Sequence, residues 1–273
     1  TGVNAGTGVK IIGNIFKGSS SYGLMINAPI SGSISDVSIL ANKFLDMINY
    51  GILLSNGSGR TITYSNILIQ NNLFSNNIKA AEYQGGIYYN GQGSSLITSK
   101  FLNNTISNCQ YGVLLTSLFT TSTLITVSNN IIINSSNTAF TPSTVTQSDF
   151  NCFYNNPVNV YPGTGNINSN PMFVNQAGGD LSLQSGSPCI DAGSPTPQEF
   201  DLDRTRNDMG VYGGSYSWAN FFNDQISNTV TELLLSPVAT AQGNTIIING
   251  SGVANKTLQN TSQSSQNNSN TTK

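Results

Sequence analysis

The chain has no histidine among its 273 residues, which excludes histidine-based catalytic triads, imidazole metal sites and a histidine pH switch. Charge is scarce as well. Only 8 % of residues are charged, and ten basic residues face twelve acidic ones for a formal net charge of −2; an average soluble protein is about 25 % charged. With no basic cluster to track a phosphate backbone, nucleic acid is not an expected partner. No apolar run approaches the ~18 residues of a membrane span. Three cysteines, Cys109, Cys152 and Cys189, show no C-x-x-C spacing, so they make neither a zinc framework nor a dense disulfide scaffold. They are expected as small buried apolar residues in successive turns, with one disulfide open to them and an odd thiol left over.

Small polar residues take the place of charge: 38 Asn, 36 Ser and 26 Thr make up more than a third of the chain. This charge-poor, amide-rich composition points to an extracellular or cell-surface location, and the abrupt opening TGVNAGTG reads as a mature or truncated product. The eight N-x-[ST] sequons are about as many as that composition yields by chance, so they are no evidence of glycosylation.

Five segments repeat one pattern: VKIIGNIF (9–16), VSILANKF (37–44), ILIQNNLF (67–74), SKFLNNTI (99–106) and ITVSNNII (125–132). Aligned on Asn14, Asn42, Asn72, Asn104 and Asn130, they are spaced by 28, 30, 32 and 26 residues. Three residues before each Asn stands Ile11, Ile39, Ile69, Phe101 or Val127; two residues after it stands Phe16, Phe44, Phe74, Ile106 or Ile132. Val9, Val37, Ile67 and Ile125 extend the alternation, and Ser99 breaks it once. A second short strand follows in each repeat, YGLMI (22–26), YGILL (50–54), GGIYY (85–89) and YGVLL (111–115), degrading to TAFTP in the fifth.

Alternation with period two over three to five residues is not helical. Every repeat carries its strands in the same order with the same inward positions, so equivalent residues are expected to stack about 4.8 Å apart in parallel sheets. The recurring Asn is expected at a turn, tolerating a left-handed backbone and bonding to the Asn above and below. The recurring Gly is expected at a second tight corner. On these repeats the chain resembles the right-handed parallel β-helix proteins of the pectate-lyase-like superfold; the handedness is what that resemblance implies.

NPMFVN (170–175), GSPCIDAG (186–193, within GDLSLQSGSPCIDAG, 179–193) and DLDRTRNDMGVYGG (201–214) follow in an order that resembles the last coils of many secreted β-helix-repeat proteins. Arg204 stands where that pattern has Gly. The resemblance identifies an architecture, because the superfold hosts lyases, hydrolases, epimerases, adhesins and tailspikes. The predicted fold is therefore all-β: a right-handed parallel β-helix (solenoid) over 1–217, with repeats in 1–150 and terminal coils in 151–217. A linker and short C-terminal β extension (218–255) and a disordered low-complexity tail (256–273) follow. The apolar strand at 245–249 is expected to seek a sheet edge on this helix or on another subunit.

Candidate chemistry is thin. A polysaccharide lyase needs a base and carboxylates that hold calcium; Lys79 and Glu82, in the longest insertion, are the best-placed pair. A hydrolase needs paired carboxylates, and no pair recurs at one offset among the five repeats. Asp191, Asp201, Asp203 and Asp208 form the one carboxylate cluster. It suits either calcium or a structural network in which Arg206 bridges carboxylates. Tyr22, Tyr50 and Tyr111 precede the corner Gly and are expected to form a row, with Tyr88 facing outward. Such a row would stack on sugars if exposed and on itself if buried. The expected role is a non-catalytic surface or extracellular protein for adhesion, carbohydrate binding or structural display, with a polysaccharide or cell-surface glycan as partner. A self-assembling filament or surface-layer homo-oligomer, joined through the open first coil or strand 245–249, is one alternative. A polysaccharide lyase or hydrolase is the other.

Overall fold

A computed structural model describes residues 3–18, 22–27, 31–56, 59–76, 84–91, 95–116, 125–141, 146–158, 161–218 and 245–248. The chain is an all-β parallel solenoid. Three sheets run along it, and among the described residues there is no α-helix, only two 3-10 turns at 176–178 and 197–199. Sheet A is led by Val3–Thr7, Gly32–Leu40, Ile62–Gln70, Lys100–Leu102, Ile125–Ser128 and Thr146–Asp149. Sheet B stacks Ile15–Lys17, Lys43–Leu45, Leu73–Ser75, Thr105–Ser107, Ile131–Ile133 and Cys152–Tyr154. Sheet C stacks Leu24–Asn27, Tyr50–Ser55, Gly85–Asn90, Tyr111–Thr116 and Thr138–Phe140, and Thr245–Ile248 pairs antiparallel along its Leu24–Asn27 edge. The residues aligned in sequence are partners in space: Ile11 opposes Ile39, Ile39 opposes Ile69, and Phe44 lies between Phe16 and Phe74.

The interior is a continuous apolar column. Phe16, Phe44 and Phe74 stack with ring centroids 4.7 and 4.9 Å apart. The break at Ser99 is accommodated by hydrogen bonds. Its buried hydroxyl donates to the Ile97 carbonyl (3.1 Å) and accepts from the Ile67 N–H (3.3 Å).

Between sheets A and B runs a buried ladder of amides. The Oδ1 of each Asn accepts both the backbone N–H and the side-chain Nδ2 of the Asn one coil earlier, from Asn14 through Asn42, Asn72, Asn104 and Asn130, at 2.9–3.1 Å. Two further rungs, Asn151 and Asn166, continue it into shortened coils. The expected left-handed backbone lies one residue earlier. Gly13, Ala41, Asn71, Asn103 and Asn129 take positive φ, and that twist turns the following Asn inward.

The recurring Gly of sheet C also has a different reason from the expected corner. Gly23, Gly51, Gly86 and Gly112 are not among the positive-φ residues. A Cβ at Gly51 would sit 2.3 Å from the Phe74 ring, and at Gly23 2.5 Å from the Phe44 ring. Glycine is required at these two because the inward phenylalanine column passes so close, while Gly86 and Gly112 are crowded by Ile106 and Ile132 and by the carbonyls of Gly112 and Ala139.

Residues 171–218, expected as further coils, instead fold over the outer face of sheet B: Gln176 and Leu181 reach earlier coils, Cys189 is back beside the last strand, and Gly213 and Trp218 reach Asn71. Inward residues of that sheet belong to the interior column, whereas Leu73, Ile131, Ile133 and Cys152 point outward and pack with Phe173, Leu181, Cys189, Met209, Val211 and Trp218. An outward row of isoleucine and leucine exposed to water would forgo roughly 1.5–3 kcal/mol per side chain, and the returning segment covers it. Hydrogen bonds to three corners hold its last part in place. The Gly210 N–H donates to the Asn129 carbonyl (2.7 Å), Asn103 Nδ2 donates to Asn207 Oδ1 (2.7 Å), and Asn71 Nδ2 donates to the Gly213 carbonyl (2.7 Å). Trp218 Nε1 then donates to the Asn71 carbonyl (2.8 Å). The end of the solenoid is closed by residues 161–167, through Asn166 and a bridge from Cys152 to Ile167.

Candidate functional site

The segment that covers sheet B leaves an open groove of about 430 Å³ beside it. Its floor is the outer face of sheet B across four successive coils: Lys17, then Lys43, Leu45 and Asp46, then Leu73, Ser75 and Asn76, then Ser107 and Asn108. Residues 176–179 and Leu181 form one wall. At about 4.8 Å per coil, the floor extends about 14 Å along the solenoid.

Each polar group on it has a local cause. Outward and inward side chains alternate in sheet B, so Lys17 aligns with Leu45 and Lys43 with Ile15, and the two lysines lie diagonally. Asp46 and Asn76 take positive φ (56° and 57°) at the corner that follows the sheet, and Asn108 does so at 53°. At that corner a second row of amides forms: Asn108 Nδ2 donates to Asn76 Oδ1 (3.3 Å), and Asn134 Nδ2 to Asn108 Oδ1 (3.1 Å). Gln176 is tied to the floor by its Nε2, which donates to Ser107 Oγ (3.0 Å). The Lys43 ammonium sits 4.4 Å from the centre of the Trp218 ring, so the returning segment also orients a charge of the groove. Two ammonium groups and one carboxylate line the groove, a local excess of positive charge on a chain of net charge −2.

Tyr50 and Tyr111 share one register as expected, but they stand on either side of Gly85 and make no continuous row. Gly85 opposes both Tyr50 and Tyr111, so the third coil has no ring at that register. Tyr88, further along the same strand, folds over instead, its ring centroid 4.6 Å from that of Tyr50. Tyr50 is thereby buried, 1 % exposed, and is not available to a ligand. Tyr88 points outward between buried Ile87 and Tyr89 and is half-buried. Tyr22 is half-buried too, its hydroxyl pushed above the ordinary value by burial and by Tyr88. The Tyr111 hydroxyl accepts from Asn137 Nδ2 (2.9 Å).

The aspartates sit in the tight turns of residues 191–214. Asp201 accepts from the N–H groups of Gly214 and Asp208, and Asp208 accepts from the Asp191 N–H (2.7 Å). Burial pushes the Asp208 carboxyl up to about 6 against those hydrogen bonds, and burial likewise raises Asp201. Asp203 is exposed and held low by hydrogen bonds from Thr205. Arg206 bonds carbonyls where the sequence suggested a bridge between carboxylates: its Nε donates to the Gly193 carbonyl (2.7 Å), and its guanidinium lies 5.6 Å from the centre of the Phe150 ring. Among the described residues no three carboxylates or thiols converge on a point where a metal ion could be held. Lys79 and Glu82 lie outside the described residues.

The groove was missed from sequence because its lysines fall on alternate outward rows and its wall comes from more than a hundred residues away. The one signal present was that Lys17 and Lys43 flank the aligned Phe16 and Phe44. Among the described residues no helix is long and apolar enough to cross a membrane. No protein-family model and no curated protein matches this chain.

Proposed function

We propose that this solenoid is a non-catalytic, extracellular or surface-displayed binding protein for a linear acidic polysaccharide, held along the groove over sheet B. The observation that carries the reading is the groove floor, where four successive coils present polar groups: Lys17 and Lys43 on the first two, Ser75 with Asn76 and Ser107 with Asn108 on the next two. A polymer with a short repeat meets a surface in which Ser75 and Ser107, and Asn76 and Asn108, stand at equivalent positions, so successive sugar units meet similar groups. Lys17 and Lys43 supply charge for carboxylate or sulfate groups, and Asn76, Asn108 and Gln176 supply donors and acceptors for hydroxyls. The half-buried rings of Tyr22, Tyr88 and Tyr111 on sheet C offer a second, weaker contact face.

The test is a panel of acidic and neutral polysaccharides, with and without calcium, followed by retention, unsaturated-uronate absorbance and new reducing ends. Retention on an acidic polymer without product supports the reading. Product release on any polymer overturns it in favour of a lyase or hydrolase and directs attention to Lys79 and Glu82. Absence of both retention and release overturns it in favour of assembly.

A further inference from the structure

We propose that Cys152 and Cys189 are the two halves of an intramolecular disulfide that fastens the returning segment to the last strand of sheet B. Cys152 stands on the outward row of that sheet, beside Ile131, and Cys189 sits in the turns that follow the strand Asp180–Leu183 of the covering segment. Both are fully buried in the same apolar cluster. Both are free thiols in the structure; Cys152 is near enough to Cys189 to hold its thiol above the ordinary value, and the Cys152 thiol donates to the Ser169 carbonyl (3.1 Å).

Both backbones are fixed independently of the sulfurs. The Cys152 N–H donates to the Asn130 carbonyl (2.8 Å), and the Cys189 carbonyl accepts from the Met209 N–H (2.9 Å). The Cys189 N–H donates to Ser187 Oγ (3.1 Å), whose hydroxyl donates to the Pro171 carbonyl (2.6 Å). The fold therefore brings the thiols together before any bond forms between them. The third thiol is no competitor. Cys109 lies in the interior column, with its sulfur against the Ser107 carbonyl (3.5 Å), and sheet B separates it from the pair.

The chemistry is a two-electron oxidation. Each thiol loses a proton, one S–S bond forms, and the two electrons reduce a small disulfide such as oxidised glutathione to two thiols through a mixed disulfide. In the closed fold the pair is protected, because the hydrogen bond with Cys152 and burial both push the Cys189 thiol above its ordinary value. Exchange accordingly takes place while the chain folds, before residues 171–218 settle onto sheet B. A bond closing a loop of about forty residues is expected to raise the thermal midpoint by roughly 10 °C.

The experiment folds the full chain from denaturant in a mixture of oxidised and reduced glutathione. Remaining thiols are then alkylated under denaturing conditions and located by intact mass and peptide mapping. One alkylated thiol at Cys109, a cross-link between the peptides of Cys152 and Cys189, and a midpoint that falls by roughly 10 °C on reduction are expected. Cys109→Ser should keep the cross-link, and the double variant Cys152→Ser/Cys189→Ser should lose the redox dependence of the midpoint. Three alkylated thiols after oxidative folding, a cross-link involving Cys109, glutathione retained on either member of the pair, or equal midpoints in the two redox states would each overturn the proposal.

Discussion

Replacing Asn72 by Ala removes one rung from the middle of the amide ladder, where neither partner can turn to water. Asn72, Asn42 and Asn104 all have 0 % exposure. The Oδ1 of Asn72 accepts the Asn42 backbone N–H (2.9 Å) and its Nδ2 (3.0 Å). Its own Nδ2 donates to the carbonyls of Ile39 (2.8 Å) and Gln70 (3.0 Å) and to Asn104 Oδ1 (3.1 Å). Asn42 Nδ2 keeps the carbonyls of Ile11 and Leu40, and the Gln70 carbonyl keeps the Ala41 N–H. The Asn42 backbone N–H is left orphaned, at about 1–3 kcal/mol, and each further lost hydrogen bond adds about 1 kcal/mol. The expected destabilisation is therefore about 3–5 kcal/mol, a large part of the ~5–15 kcal/mol that holds a typical domain. Asn72→Asp keeps the acceptor but turns a carboxylate oxygen toward two carbonyls, so it should be at least as damaging. Asn76→Ala, exposed at the next corner, should cost under about 0.5 kcal/mol. Denaturant titration read by near- and far-ultraviolet circular dichroism measures the difference, with coincidence of the two probes checking cooperativity. A loss below about 1 kcal/mol for Asn72→Ala would refute the claim that the ladder's side-chain bonds hold the coils together.

Other predictions follow from backbone strain and from buried charge. Arg204 and Thr98 are exposed and carry positive φ (70° and 46°), so Arg204→Gly and Thr98→Asn should each raise stability by about 0.5–1 kcal/mol in the same titration. A decrease would show that their side chains contribute more than the strain costs. Asp208 has its folded-state value raised to about 6, so it binds more protons folded than unfolded between its ordinary value and about 6. Stability from this group is full below the ordinary aspartate range and is lost as pH rises through about 6, and raised Asp201 acts in the same direction. The thermal midpoint should therefore be higher at pH 5 than at pH 7.5. Asp208→Asn, which keeps an acceptor for the Asp191 N–H, should flatten that difference; an unchanged pH dependence in the variant would contradict it. Asp36 and Asp203 are held low by hydrogen bonds, so their contribution has the opposite sign and is lost only at more acid pH.

The parts of the fold legible in the sequence are those governed by the coil repeat. Phe16, Phe44 and Phe74 recur at one offset because one interior column must be filled on every turn, and Asn14 to Asn130 recur because each amide needs the next. Asn151 and Asn166 obey the same rule but fall outside the 26–32-residue period of the sequence, since their coils shrink to 21 and 15 residues. The return of residues 171–218 left no periodic trace. Its contacts depend on what the outer face of sheet B exposes, and Leu73, Ile131 and Ile133 look like ordinary strand residues until their inward neighbours are assigned. The same cause hid the groove, one wall of which is residues 176–179 and Leu181 of that segment. The shared register of the tyrosines was legible, but whether they are exposed was not: Gly85 holds that register in one coil, and the Tyr88 ring lies over Tyr50.

Affinity electrophoresis of the wild type and of Lys17→Gln/Lys43→Gln through gels containing acidic polysaccharides tests the central claim most directly. Both lysines are outside the apolar column, so the double variant should fold with an unchanged far-ultraviolet spectrum. The account expects the wild type to be retarded by an acidic polymer, less so at high salt, and expects the double variant to lose about tenfold or more in affinity, one lost charge contact being worth roughly 1 kcal/mol or more. Retardation that is equal in the two proteins, or that disappears only when Tyr22 and Tyr88 are replaced, would place binding elsewhere and contradict the account.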